Sequence, residues 1–239
     1  MLKAELHTHI NIDPLDYKFI DYSAFELIDR AVQQNFNVLA ITCHNYVYQD
    51  PKAADYAKNK NLLLLFGAEK DVDGKHTLLY NIPNDVAQSI NTLDDLQRAR
   101  KEHPEMFVIA AHPFHYRSSC HKNNITKHLD LFDAWEYSFF YTSFFNPNKK
   151  TSRLAEKHNK PLVGNSDVHK LKDLGRTYTL IDAPPDAQAL FRAIKEKKIK
   201  IVTTPLSVSE LIRITFRASW ASAVKKYRKI KRGRERPSP

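Results

Sequence analysis

Apolar residues fall into short runs along the chain, each followed within a few positions by a polar, imidazole or carboxylate side chain. Runs at Lys3 to Leu6, Val38 to Thr42, Leu62 to Ala68, His76 to Ile82, Phe107 to Ala111, Leu131 to Tyr137, Leu162 to Gly164 and Tyr178 to Ile181 have the length of strands. Tyr178 to Ile181 reads as the last clear one. Helical spacing appears between them. After Tyr22-Ser23-Ala24, apolar residues recur at Phe25, Leu27, Ile28, Ala31 and Val32, and Pro51 to Asn59, Leu93 to Lys101, Asn148 to His158 and Asp186 to Lys197 read as further helices. Asp73-Gly74 marks a tight turn, and Ser207 to Lys229 reads as a terminal helix.

Strand and helix alternate at intervals of about 20 to 40 residues, the pattern of an α/β barrel or a doubly wound sheet. Barrel closure fits better, because polar groups that follow many different strands can meet across one mouth. These groups are His7 and His9 in Leu6-His7-Thr8-His9, His44 in Thr42-Cys43-His44-Asn45, Glu69 in Gly67-Ala68-Glu69, His76, His112 in Ala111-His112-Pro113, and Asp167 and His169 in Ser166-Asp167-Val168-His169. Imidazoles with carboxylates are the donor mix for zinc, manganese or iron, and the set exceeds what one ion takes. A centre of two or three divalent ions is expected. His103, His121, His128 and His158 sit in polar or helical stretches and read as surface or hydrogen-bonded core residues.

Taken in order, H-x-H, T-x-H, G-x-E, H, A-H-P and S-D-x-H resemble the PHP family, named for its polymerase-associated and histidinol-phosphatase members. The resemblance spans roughly Leu2 to Pro205. It implies a distorted (β/α)7 TIM-like barrel with up to three metal ions held by His7, His9, His44, Glu69, His76, His112, Asp167 and His169, with Glu69 bridging. It also implies a metal-dependent phosphoesterase, with Glu69, Asp167 and Arg176 in catalysis. Two positions depart from the family pattern. An acid is usual five residues beyond the second histidine, where Pro14 stands here, so Asp13 or Asp16 is left to supply it. Cys43 replaces the usual aspartate of the second motif and is either a buried thiol or a soft group near the ions.

A phosphate needs cationic partners, and Arg176 leads, with His115 and Arg117 next. Glu136, at the end of another strand, is placed to orient a histidine. The aromatic cluster from Tyr137 to Phe145 reads as a buried loop wall more readily than as a stacking platform. No nucleophile elbow, phosphate-binding glycine loop or nucleophilic cysteine signature is present in the sequence. The expected substrate is a small phosphomonoester or a nucleotide or oligonucleotide. The alternative is a non-catalytic RNA- or polyanion-binding protein on the same scaffold.

With 42% hydrophobic and 27% charged residues, the composition is that of a folded globular protein. The formal charge of +10 is uneven: eight Lys or Arg against one Glu between Lys225 and Arg236 give +7 there. The expected division is a barrel at 1–205 and a helix with basic tail at 206–239. Nucleic acid or an anionic membrane is a candidate contact for that tail, since Ile212, Phe216, Trp220 and Val224 recur every four residues ahead of it. A terminal helix packed on the barrel is the favoured reading of that stripe. No apolar run reaches the roughly 18 residues of a membrane span. The first strand begins too near Met1 for a signal peptide, and two cysteines suit a reducing compartment, so a cytoplasmic location is expected.

Overall fold

The computed structural model describes residues 1–216. The Lys225–Arg236 cluster, Trp220 and Val224 lie outside the described residues. Contacts group the chain into two units. One holds Met1–Phe139 and Pro147–Thr204, and the other holds Phe140–Asn146 and the chain from Pro205 onward.

The larger unit is built on nine strands: β1 (Leu2–Glu5), β2 (Val38–His44), β3 (Leu63–Val72), β4 (Lys75–Tyr80), β5 (Phe107–Ala110), β6 (Ala134–Ser138), β7 (Leu162–Asn165), β8 (Thr177–Ile181) and β9 (Ile199–Thr203). The helices are α1 (Ala24–Gln33), α2 (Pro51–Asn59), α3 (Asn84–Ser89), α4 (Leu93–Glu102), α5 (Asn148–Lys157) and α6 (Ala187–Lys195). Local chemistry fixes several helix starts. Ser23 with Glu26 and Thr92 with Asp95 close reciprocal capping bonds, while Asp50 and Asp186 cap α2 and α6.

The strands follow the spatial order β7-β6-β5-β4-β3-β2-β1-β8-β9. β1, β2 and β3 run parallel, as do β5, β6 and β7, while β4 is antiparallel to both its neighbours. β8 runs antiparallel to β1, and β9 to β8. The ring closes where the ends of β1 and β7 meet. Beyond those strands a parallel bridge joins Thr8 to Val168, with His9 N and Val168 N donating to Val168 O and His7 O. Below it, Gly164 N donates to Thr179 Oγ1, which donates in turn to Gly164 O. A Cβ on Gly164 would come within 2.7 Å of Ile201, so only glycine lets β7 approach β8 and β9 this closely. The result is a distorted (β/α)7 TIM-like barrel.

One core cluster draws Ala4, Val38, Leu65, Leu78, Phe107, Ala134, Val163 and Ile181 from eight different strands and meets α6 through Phe191, which stacks on Phe107 at 4.4 Å. Two outer clusters bury α1 and α2 on one side and α3, α4 and α5 on another. Every residue of β2 is buried, as expected of a parallel strand covered on both faces.

Two sequence expectations are corrected. Tyr178 to Ile181 is not the last strand: Ile199–Thr203 adds β9, whose alternation around exposed Lys200 marks a half-covered strand. β6 starts at Ala134, because Leu129–Leu131 forms a 3-10 turn before it. Of the apolar stripe, Ile212 and Phe216 lie among the described residues, in the helix at residues 208–216, and are 63% and 72% exposed. The aromatic cluster is mixed, with Phe139 and Tyr141 buried and Phe144 exposed. Among the described residues, no helix is long and apolar enough to cross a membrane.

Candidate metal centre

Parallel strands point their C-terminal ends at one mouth, and the chain turns sharply as it leaves them. Asn45, His112 and Asp167 have φ of 53°, 29° and 45°, left-handed values that cost a non-glycine residue energy and gather where side chains must be aimed. His76 sits at the N-terminal end of its strand, yet it reaches the same mouth because β4 runs in the opposite sense.

Glu69 is the hub. Its Oε2 lies 3.3 Å from His7 Nε2, 3.4 Å from His9 Nε2 and 3.1 Å from His44 Nε2. Its Oε1 lies 2.7 Å from His76 Nδ1 and 3.2 Å from His112 Nε2. Asp167 Oδ1 forms a second point of convergence, 3.5 Å from His7 Nε2 and 3.3 Å from both His9 Nε2 and His169 Nδ1. All the imidazoles and both carboxylates implied by the resemblance are thereby brought together.

An outer ring holds these donors in place. Glu136 Oε1 takes His7 Nδ1 at 2.9 Å and Asn165 Nδ2 at 2.9 Å, while its Oε2 takes His112 N at 2.7 Å. Asp13 takes His9 Nδ1 at 2.8 Å, His44 Nδ1 at 3.0 Å and His44 N at 2.8 Å. Glu5, beneath the site, accepts from His7 N and Ser166 N. Cys120 Sγ lies 3.5 Å from His112 Nδ1.

Burial opposes charge on His7, but Glu136, Asp167 and Glu69 outweigh it and hold its pKa well above the ordinary histidine value. Burial likewise opposes ionisation of Glu69, yet His76, His7 and His44 keep its pKa well below the usual carboxylate range. At Glu5 the hydrogen bonds from Ser166 and His7 do not offset burial, which pushes its pKa to about 8. The Cys43 thiol is driven up to about 12 by burial and by Asp13, and it packs in the core cluster beneath α1 and α2.

The donor set fits metal ions. Four buried atoms that face the centre, His7 Nε2, His9 Nε2, His76 Nδ1 and Asp167 Oδ1, have no partner in hydrogen-bond geometry. Leaving so many polar atoms unsatisfied is costly unless something else binds them. Ligand-like groups form from His7, His9, Glu69 and Asp167, from His44, Glu69 and His76, and from His9, His44 and His169. Imidazole nitrogens mixed with carboxylate oxygens suit zinc, iron or manganese.

The phosphate-binding candidates are placed less centrally. Arg176 precedes β8 at the mouth end, where Thr177 N donates to Ser166 Oγ. Arg117 is exposed on the loop after His112-Pro113. His115 is buried on that loop, and burial and His112 lower its pKa to about 3. His121 is a core residue bonded to Thr77 Oγ1 at 2.9 Å, and His103, His128 and His158 are not in the centre. Glu5, Asn165 and Cys120 were missed. Glu5 had a legible signal, since a charge two residues before His7 falls on the same face of an otherwise apolar strand. Cys120 had none.

Residues 145–199 match the family described as PHP-associated. The match is in keeping with the PHP resemblance of the motifs. Solved structures agree in fold. PsfC from Pseudomonas syringae PB-5123 aligns with a TM-score of 0.62 at 12% identity, over 93% of this chain and 98% of that one. An amidohydrolase from Chromobacterium violaceum with bound sulfate aligns at 0.54 and 15% identity, over 82% and 97%. A candidate metal-dependent phosphoesterase from Bifidobacterium adolescentis aligns at 0.51 and 15% identity, over 70% and 87%. No curated protein matches the chain in sequence. The matched segment 145–199 carries α5, β7 and the Asp167/His169 pair.

Proposed function

We propose that this chain is a metal-dependent hydrolase that cleaves phosphate esters, with a small phosphomonoester or a nucleotide as substrate. The observation that carries the reading is Glu69, a buried carboxylate with five imidazole nitrogens within 3.4 Å, beside four donor atoms that lack hydrogen-bond partners. Two or three divalent ions held there would supply Lewis acidity toward phosphoryl oxygens and lower the pKa of an attacking water.

The residues divide the work. His7, His9, Glu69 and Asp167 would hold an ion, and Glu69 with His44, His76 and His112 would supply further ligands. Glu136 fixes the His7 ring, so His7 presents Nε2 inward. The Asp167 side chain is 24% exposed, which sets it on the open side where substrate enters. Arg176 and Arg117 bind phosphoryl oxygens as the charge on them grows. No protein nucleophile is required. The same chemistry would cleave other polarised bonds, and substrate choice is the finer part of the proposal.

Elemental analysis of protein purified without chelator, with turnover of a generic phosphomonoester and phosphodiester on the same sample, is the test. Two or three equivalents of manganese, iron or zinc, with hydrolysis lost in His9→Ala and Asp167→Ala, is the expected result. Less than one equivalent and no hydrolysis after reconstitution would overturn it. Contact of the Lys225–Arg236 cluster with nucleic acid or anionic lipid is a separate element of the proposal. Deleting residues from Lys225 onward is expected to abolish such binding and leave turnover unchanged.

A further inference from the structure

Asp13 and Asp16 stand three residues apart on the loop that leads from the first strand to the first helix, and their surroundings differ. Asp13 is fully buried, and its carboxylate is saturated. Oδ2 receives His9 Nδ1 at 2.8 Å and His44 N at 2.8 Å, with His44 Nδ1 at 3.0 Å, while Oδ1 receives Leu15 N and Asp16 N, both at 2.9 Å. A carboxylate only accepts hydrogen bonds, so these contacts place the ring protons of His9 and His44 on Nδ1 and turn Nε2 of each toward Glu69. Asp16 is arranged otherwise. Its Oδ2 lies 3.4 Å from His169 Nε2 and 3.9 Å from His44 Nδ1, of the order of the spacing between two donors that share a cation, and Asp16 groups with His44 and Asp13 as possible ligands.

We infer that Asp13 is a positioning residue that sets the tautomer of His9 and His44, and that Asp16 supplies the acidic ligand on the His169 side of the centre. The sequence gives a reason. Pro14 has no N–H, and it restrains Asp13 to extended backbone, so the acid one position early folds under the two rings while the chain turns on to present Asp16. The inference rests on the metal-binding reading above.

The test uses the full chain loaded with zinc, with metal equivalents measured for wild type, Asp13→Asn and Asp16→Asn, and long-range nitrogen–proton NMR of the imidazoles. Asp16→Asn is expected to lose about one equivalent and leave the His9 and His44 signals unchanged. Asp13→Asn is expected to keep the wild-type number of ions while shifting those two signals away from the Nδ1–H pattern, with metal affinity reduced about 10–100-fold. Loss of an ion in Asp13→Asn but not in Asp16→Asn would overturn the assignment, as would Nε2–H signals for His9 and His44 in wild type. If wild type itself takes up less than one equivalent, the metal-binding reading falls, while the tautomer signals still test the role of Asp13. Should Asp13→Asn fail to fold, the wild-type tautomers and the Asp16→Asn stoichiometry decide the question.

Discussion

Two carboxylates, Asp133 just before β6 and Glu69 on β3, have opposite surroundings. Asp133 receives Arg100 through Nη1 at 2.8 Å and Nη2 at 3.0 Å, Val108 N at 2.8 Å and Lys195 Nζ at 3.1 Å. Its charge is matched by fixed cations, so burial, which would raise its pKa, is outweighed by Arg100. Among the described residues, Glu69 has no Lys or Arg partner; it is ringed by imidazoles, some of whose nitrogens find no hydrogen bond. A carboxylate neutralised by guanidinium is finished structure. One surrounded by groups that are neutral when unprotonated is a site waiting for a cation.

The sharpest way to break this comparison is Glu69→Gln. It is expected to lose metal and to reduce hydrolysis about a thousandfold, equivalent to roughly 4 kcal/mol, without lowering the melting temperature of the metal-free protein. A variant that melts early but retains metal would erase the distinction.

Glu136→Gln comes next. It keeps the volume but weakens the hold on His7, and metal retention should fall about 10–100-fold, read by competition with a chelator. Asp133→Ala should do the reverse. Stability is expected to drop by roughly 2 kcal/mol, because Val108 N loses its acceptor and partly exposed Arg100 its partner. Metal content per folded molecule should be unchanged, and chemical denaturation with elemental analysis checks both.

Protons sharpen the comparison further. His115 and His121 have folded pKa values lowered to about 3, by burial first and then by His112, so below about 6.5 the unfolded chain binds protons that the folded chain refuses. Stability is fully present above that value and should decline as pH falls toward 3. His7, His112 and His169 shift the other way, because burial is outweighed by neighbouring carboxylates and, at His112, by Cys120 and Glu69. Metal uptake must displace their protons, so it should strengthen with rising pH and release protons measurable by buffer-dependent calorimetry. The smallest effect belongs to neither carboxylate: Gly74, at φ 68° in the turn between β3 and β4, should cost about 1 kcal/mol as Gly74→Ala and leave metal content intact.

The periodicities of strand and helix were legible because each segment's own residues encode them: apolar runs ended by polar groups, and caps such as Ser23 with Glu26. β9 was not, since Ile199–Thr203 becomes a strand only by pairing with β8. The imidazoles of the centre could be read from spacing after strand ends. Some of their supports were harder to see, because Asn165 and Cys120 act through contacts with Glu136 and His112 that no local pattern records.

The order of motifs along the chain determined the family resemblance and the kind of chemistry. Tertiary structure decided how those residues meet. The reversed direction of β4 brings His76 to the mouth, and closure between Thr8 and Val168 sets the H-x-H pair beside Asp167. The same closure leaves Asp13 beneath two rings and Asp16 beside a third. The physical reason is that a donor's identity belongs to a residue, whereas the direction of its lone pair depends on backbone and partners distant in sequence.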